Sequence, residues 1–175
     1  GVNRIDAQIK RENELHLFRE KAFTDPLTGV KSKTAYAEAE EFWNEKIQNK
    51  EITSLAVAVC DVNGLKQIND IQGHKAGDQY IISASMVICR AFDHSPVYRI
   101  GGDEFVAILS GSDYPIRDEI YEKFIADNKE RIVSKNGPVV ALGISEYRET
   151  DSSFEDIFKR ADKLMYENKI NLKKN

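Results

Sequence analysis

The sequence predicts an α/β fold of the α+β type, with a ferredoxin-like βαββαβ core and a central, mainly antiparallel sheet flanked by helices. Three apolar stretches support this prediction. Residues 54–62 (SLAVAVCDV) form a nearly continuous run of β-type residues, typical of a central strand. Residues 97–109 form two strand-like runs around two glycines, which indicates a hairpin, and residues 138–146 (PVVALGISE) form another strand. Helical patterns lie between these strands.

The chain divides into an N-terminal linker or signalling helix, residues 1–23, and a domain, residues 24–175. The N-terminal segment is highly charged, and its apolar residues recur at roughly helical spacing. This pattern predicts an exposed helix that enters the domain, and it would also suit one strand of a coiled coil. The string TDPLTG is expected to end the helix, because a residue before proline disfavours helical backbone and glycine favours a turn.

Two helices of the domain carry serine caps. Ser32 is expected to cap a helix that runs to about Gln48, and Ser152 or Ser153 is expected to cap the last helix. The residues predicted to face inward are Ala35, Ala39, Phe42, Trp43 and Ile47 in the first helix, and Ile157, Ala161, Leu164 and Met165 in the last.

Three further helical patterns complete the domain, over residues 65–71, 77–92 and 116–134. The string QGHKAG separates the first two of these helices. We expect it to be a loop in which His74 makes local hydrogen bonds.

The composition limits the classes of function. The chain has 175 residues, of which 41% are hydrophobic and 31% charged, as in a soluble globular domain. A net charge of -4 gives no electrostatic basis for binding duplex nucleic acid. Cys60 and Cys89 lie far apart in apolar runs without metal-ligand spacing, so we expect buried thiols in a reducing compartment.

No stretch of the sequence is apolar enough to cross a membrane, so no membrane contact is expected from this segment. The chain starts at Gly1 rather than Met, which suggests a fragment of a longer parent. We therefore expect a cytoplasmic domain whose parent carries any membrane anchor.

The predicted hairpin turn places two adjacent carboxylates, Asp103 and Glu104, directly after Gly101 and Gly102. A hairpin turn needs no carboxylates, and acidic residues at its tip can serve solubility alone. In the predicted topology, however, Asp61 ends the first strand beside this turn. Converging carboxylates repel each other unless a cation neutralises them, and oxygen ligands suit Mg²⁺ or Mn²⁺ shared with substrate phosphates. The glycines would let a nucleotide approach the backbone closely.

The residues alone allow two interpretations of Asp61. Asp61 can be a metal ligand, or it can be a strand-end residue that caps the next helix. Lys66 lies about one helical turn beyond Asp61, where its charge could meet phosphate oxygens.

Four motifs in chain order resemble those of the GGDEF-domain family, the diguanylate cyclases. They are DPLTG at residues 25–29, DVNGLKQINDIQGHKAGD at 61–78, RIGGDEF at 99–105, and RADKLMYENK at 160–169. The similarity extends over about residues 24–174. The resemblance implies a fold similar to the nucleotidyl cyclase and polymerase palm, and an enzyme that condenses two GTP into cyclic di-GMP with release of two pyrophosphates.

The resemblance also implies roles for individual residues. Asp61, Asp103 and the Val62 carbonyl would bind Mg²⁺ or Mn²⁺, with two ions in each GTP site. Asp103 falls where the family places its general base, with Glu104 beside it. Lys66 would stabilise charge on the reacting phosphate.

Four other positions match nucleotide contacts of the family. Asn69 and Asp78 match the positions that read the guanine edge, although a polar helix face and an N-cap are alternative roles for them. Lys169 matches a phosphate-binding lysine. Lys173 stands where the family usually has arginine, and lysine keeps the charge but not the bidentate geometry.

The resemblance implies three partners: GTP, a second copy of the domain, because each domain holds one GTP, and an upstream sensor or regulatory domain. An alternative is a catalytically silent relative that binds GTP or a partner for signalling.

Many family members bind their product through an Arg-x-x-Asp motif that precedes the signature at a fixed spacing. Here Arg90 and Asp93 form such a string, but seven residues separate Asp93 from Gly101. Phe92 and Ser95 occupy the family spacing instead, so we expect no inhibitory site.

Overall fold

The computed structural model describes residues 2–174. In chain order the elements are α1 Val2–Phe23, α2 Lys33–Gln48, β1 Ala56–Val62, α3 Leu65–Gln72, α4 His74–Ala91, β2 Val97–Arg99, β3 Glu104–Leu109, α5 Arg117–Ser134, β4 Val140–Glu146 and α6 Phe154–Lys173. This order confirms the predicted α+β, ferredoxin-like fold. None of these helices is both long enough and apolar enough to span a membrane.

The four strands form one sheet in the order β2-β3-β1-β4, and every neighbouring pair is antiparallel. The central strands are therefore β1, as predicted, and β3. The other hairpin strand, β2, pairs with β3 alone among the strands and forms an edge. In the β1–β3 register Asp61 lies opposite Glu104.

Helices cover both faces of the sheet. Alternate residues of β1 point to opposite faces, so Ala58 and Cys60 pack towards α4 and α5, whereas Val57 and Val59 pack towards α2 and α6. Asp61 continues the second set and so lies on the α6 side of the sheet. The α1 helix, by contrast, has no buried residue.

A glycine in β4 lets α6 lie directly on the sheet. A Cβ atom at Gly143 would come within 2.1 Å of the Ala161 carbonyl oxygen and 2.3 Å of the Met165 amide nitrogen. Both contacts are to backbone, so a side chain at this position would force the helix away from the strand. Lys169 follows one turn beyond Met165, and this close approach brings it over the end of β1.

The cap predictions are confirmed for Ser32, whose hydroxyl accepts a hydrogen bond from the Ala35 N–H at 3.3 Å, and for Ser153, the N-cap of α6. Two inward-facing predictions are wrong, because Phe42 is 52% exposed and Leu164 is 44% exposed. Each lies at the border of its apolar stripe, where a neighbouring residue, Trp43 or Met165, fills the space against the sheet.

The predicted loop before α4 is also wrong. Gly73 has a φ of +90° and makes the only break between α3 and α4 within the described residues. His74 is therefore the first residue of α4, and Asp78 lies inside that helix rather than at its N-cap. A single glycine with positive φ is enough to reorient the chain, so no longer loop is needed.

Candidate active site

Three carboxylates meet where β1 ends beside the hairpin turn, as the topology predicted. Asp61 and Glu104 are register partners on the central strands. The Val62 N–H donates a hydrogen bond to the Asp103 carbonyl oxygen at 2.8 Å, which fastens the turn to the end of β1. Asp61, Asp103 and Glu104 are close enough for their charges to interact.

Asp61 is the most constrained of these residues. Burial and then the charge of Asp103 raise its pKa, and the nearby Lys169 opposes this shift. The Lys169 ammonium donates to Asp61 Oδ2 at 3.3 Å. The other oxygen, Oδ1, is buried and has no hydrogen-bond partner among the described residues. A buried carboxylate oxygen without a partner is costly, and a bound cation would satisfy it.

Glu104 experiences a similar environment with one addition. Burial raises its pKa first, followed by the charges of Asp162, Asp61 and Asp103. Asp162 is a neighbour that we did not predict, although it lies in the motif RADKLMYENK. Its spacing of seven residues from Lys169, two helical turns, indicates that both lie on the α6 face towards the site.

The donor set fits a magnesium ion that arrives with a nucleotide. Within residues 2–174, no three His, Cys, Asp or Glu side chains come together as a self-contained metal centre. Mg²⁺ is usually bound by only one or two carboxylates, with waters and substrate phosphates completing its octahedron. Asp61 and Asp103, with the Oδ1 atom that lacks a partner, match this requirement for hard oxygen ligands.

Asn69 lies against the backbone of α4. A Cβ atom at Gly77 would come 1.7 Å from Asn69 Oδ1, so the amide group occupies the space that a larger residue would fill. Gly77 is buried and Asp78, the next residue, is exposed. Asn69 thus packs against the residue that precedes Asp78 in α4. Gly77 itself was missed, although a glycine inside a helical pattern is a signal of close packing.

The predicted phosphate-binding lysines lie on α3 and α6, and Lys169 contacts Asp61. Lys66 is in the first turn of α3, directly after a turn in which Gly64 has a φ of +79°. The Tyr80 hydroxyl donates to the Asn63 carbonyl at 2.8 Å and holds that turn against α4. Lys173, four residues after Lys169 and so on the same face of α6, is exposed.

Arg90 and Asp93 line different grooves. Arg90 lines the groove between α4 and α5, together with Phe124. Asp93 lies beyond the end of α4 and lines a groove beside α1, together with Arg19. Neither of these two grooves is lined by both side chains, and the absence of an inhibitory site stays a prediction.

Residues 22–175 match the family described as "Diguanylate cyclase, GGDEF domain". The chain belongs to this family. The resemblance expected from the four motifs is therefore confirmed.

Curated relatives of this GGDEF domain are mostly longer proteins. Diguanylate cyclase DgcS of Shewanella oneidensis is 32% identical over 151 residues, which cover 85% of this chain and 50% of the relative. Diguanylate cyclase DgcP of Pseudomonas aeruginosa is 31% identical over 94% of this chain and 25% of the relative. Cyclic di-GMP phosphodiesterase NbdA of the same species is 27% identical over 95% of this chain and 22% of the relative. The chain thus spans half or less of the length of these proteins.

Solved structures support the fold. The coiled coil and GGDEF domain of DgcB from Caulobacter crescentus, in complex with c-di-GMP, matches with a TM-score of 0.78 and 23% identity. The match covers 97% of this chain and 93% of that one. The GGDEF domain of TpbB (YfiN) from Pseudomonas aeruginosa matches with a TM-score of 0.67 and 27% identity, over 85% of this chain and 89% of that one.

Proposed function

We propose that this GGDEF domain is an active diguanylate cyclase, which condenses two GTP into cyclic di-GMP and releases two pyrophosphates. The observation that carries the proposal is the centre at the end of β1. There Asp61 and Asp103 face each other, Asp61 Oδ1 lacks a partner among the described residues, and Lys169 offsets part of the charge.

Asp61, Asp103 and the Val62 carbonyl would hold the metal, Mg²⁺ or Mn²⁺, with two ions in each GTP site. When bound, such ions polarise phosphoryl oxygens and lower the pKa of an attacking hydroxyl. Asp61 and Asp103 would hold these ions, and the Gly101–Gly102 turn, which has no side chains, would leave the backbone open to a nucleotide.

The chain's own residues would then handle the charge and the proton. Lys66, Lys169 and Lys173 stabilise negative charge on the reacting phosphates. Asp103 accepts the proton of the 3′-hydroxyl as that oxygen attacks the α-phosphorus, and the bond from phosphorus to pyrophosphate breaks. Burial raises the pKa of Glu104, and this carboxylate, next to Asp103, would assist the proton transfer.

Asn69 and Asp78 would select guanine. A carboxylate can accept two hydrogen bonds from the N1–H and amino group of guanine, while an amide both donates and accepts. Adenine presents an acceptor at N1 and would leave the Asp78 carboxylate unsatisfied, which disfavours ATP.

Catalysis would need a second copy, because each domain holds one GTP and each 3′-hydroxyl attacks the α-phosphate of the other. The α1 helix is a surface on which two copies can pair, since it exposes a series of apolar residues. These residues are Val2, Ile5, Ile9, Leu15, Leu17 and Phe18. In a longer parent protein this helix would connect to an upstream regulatory domain, and a domain that uses GTP would lie in the cytoplasm.

The test is product analysis after incubation with GTP and Mg²⁺, with ATP as the control nucleotide. We expect pyrophosphate and cyclic di-GMP from GTP, little product from ATP, and a specific activity that rises with protein concentration. Binding of GTP without release of pyrophosphate would instead support a catalytically silent signalling module. The similarity to NbdA, a protein named as a cyclic di-GMP phosphodiesterase, favours this silent module as the second candidate.

A further inference from the structure

Three hydrogen bonds of two kinds, one from backbone and two from a side chain, fix the backbone on either side of Asp103. On one side, the Asp103 carbonyl oxygen accepts the Val62 N–H at 2.8 Å. On the other side, the Gly102 carbonyl oxygen accepts the Nε and Nη2 groups of Arg99 at 3.2 and 2.7 Å. Gly101 and Gly102 are exposed and have no side chains that could hold the turn. The Ile100 and Gly101 N–H groups also donate to the Glu104 carbonyl at 2.9 and 3.4 Å, and the Arg99 side chain adds a contact to the peptide that leads into Asp103.

Arg99 is itself held by a carboxylate. Its Nη1 group lies 3.4 and 3.3 Å from the two carboxylate oxygens of Asp25, and these side chains are only 18% and 15% exposed. Asp25 Oδ2 also accepts the Thr28 N–H and hydroxyl at 2.9 and 2.7 Å. Burial alone would raise the pKa of Asp25, but the hydrogen bonds from Thr28 and the charge of Arg99 outweigh it and lower the pKa. Asp25 is thus charged at neutral pH.

The same segment is bonded to the end of α1. The carbonyl oxygens of Ala22 and Phe23 accept the Ser32 hydroxyl and N–H at 2.6 and 3.0 Å. The Lys31 carbonyl oxygen accepts the Arg99 N–H at 2.9 Å, so the segment also lies along the edge strand β2. Asp25 sits between these two attachments. The last turn of α1 and the turn before Asp103 are therefore joined by a short and continuous set of hydrogen bonds.

We propose that Arg99 and Asp25 form a clamp that fixes the Gly102–Asp103 peptide, orients the Asp103 carboxylate, and ties it to the end of α1. The catalytic part of this inference rests on the proposed function, in which Asp103 is a metal ligand and the general base. Arg99 and Asp25 are positioning residues. Three nitrogens of the guanidinium are occupied within the domain, so this side chain is not directed towards a phosphate. A lysine could not reproduce this two-pronged contact.

The clamp is tested first by amide hydrogen exchange measured by NMR on the free domain. In Arg99→Gln, the amides of Ile100 and Val62, whose acceptors are the Glu104 and Asp103 carbonyls, should exchange about tenfold faster than in the wild type. Arg99→Lys should give an intermediate rate. Unchanged exchange at both amides in folded Arg99→Gln would overturn the clamp, whether or not the domain is a cyclase.

Asp25→Asn gives an independent variant that preserves the local turn. The asparagine oxygen can still accept from Thr28, but its amide would face Arg99 without a charge. We expect faster exchange than in the wild type, and no further acceleration when this substitution is added to Arg99→Gln. Fully additive effects of the two substitutions would show that the residues do not act together and would overturn the proposal.

Arg117→Gln is the matched control. Arg117 is 23% exposed, donates to the Tyr114 carbonyl at 2.9 Å and pairs with Glu146, so it makes the same two kinds of contact away from the site. This variant should leave exchange at Ile100 and Val62 unchanged.

Turnover tests the positioning role. In Arg99→Gln we expect kcat to fall about tenfold, with the KM for GTP within about twofold of the wild-type value. Arg99→Lys should recover part of this loss, and Arg117→Gln should retain full activity. Faster exchange together with unchanged kcat would overturn the positioning role while leaving the proposed function intact. If the wild-type domain shows no turnover, the proposed function is overturned, and with it the catalytic part of the inference. The exchange comparison would still decide whether the clamp exists.

Discussion

A methyl group added at Gly77 should weaken GTP binding without unfolding the domain. In Gly77→Ala the new Cβ would lie 1.7 Å from Asn69 Oδ1 and 2.8 Å from Asn69 Cγ, whereas ordinary contacts begin near 3.4 Å. The atoms in the way belong to the end of a side chain. The strain is therefore relieved when Asn69 turns away, and the backbones of α3 and α4 need not separate.

The structure sets the size of both effects. Asn69 Oδ1 must move by about 1.7 Å, enough to break a hydrogen bond that is optimal over only about 2.7–3.2 Å. Losing one such bond to guanine costs about 1.5 kcal/mol, which corresponds to an affinity about tenfold lower. Stability should change by less than about 1 kcal/mol, because alanine is the better helix former by about that amount and a displaced rotamer costs a similar amount.

The assay is calorimetric titration with a GTP analogue that cannot release pyrophosphate, combined with thermal melts. Asn69→Ala should lose about as much affinity as Gly77→Ala, and the double variant should lose no more than either. Wild-type affinity in Gly77→Ala would refute the role of Asn69 at the guanine edge. A melting temperature several degrees lower would refute the claim that a side chain, rather than backbone, absorbs the clash.

Three further predictions concern the rest of the domain. Asp103→Ala should lower turnover about a thousandfold, which corresponds to ~4 kcal/mol of transition-state stabilisation. Its melting temperature without metal should hold or rise, because the repulsion between carboxylates is relieved. Near wild-type turnover would contradict the metal assignment. Gly143→Ala should lower the free energy of unfolding, measured in urea, by about 3 kcal/mol, because its Cβ would meet the backbone of α6. A decrease below about 0.5 kcal/mol would show that α6 can shift freely. Asp151 is buried, which alone would raise its pKa, but its bonds with Arg160 and with the Arg148 N–H lower it below the ordinary 3.8. The charged Asp151 therefore stabilises the fold above pH 3.8, and this stabilisation is lost as the pH falls through the lowered pKa. Asp151→Asn should lower the free energy of unfolding by about 2 kcal/mol at pH 6 and by progressively less towards pH 2. A cost independent of pH would contradict this.

Local patterns were sufficient for the elements and for their order. The apolar run of β1 and the two strand-like runs of the hairpin predicted a sheet in which Asp61 meets the signature turn, and the register with Glu104 confirms this. The errors fell where a local pattern has two solutions. Phe42 and Leu164 lie at the borders of amphipathic stripes, and which border residue is buried depends on the helix or strand opposite.

The parts of the site that escaped prediction are contacts between distant segments. Arg99 and Asp25 are 74 residues apart, and nothing in either motif indicates that one side chain holds the other. The motifs supplied the residues that would touch metal or nucleotide, because those residue types carry the chemistry. The residues that orient them are chosen by packing, which only the three-dimensional arrangement shows.

The candidate site carries an excess of negative charge. Asp61, Asp103 and Glu104 interact with one another, Glu104 also interacts with Asp162, and Lys169 opposes the charges of Asp61 and Glu104. Such a cluster is unfavourable without a cation, and it would repel a triphosphate that arrived without metal. The carboxylates stay together because β1 and β3 are paired in register and because Gly143 lets α6 approach so closely. The fold therefore maintains a repulsion that a metal–nucleotide complex would relieve, and binding of that complex would release Lys169 from Asp61 to contact phosphate.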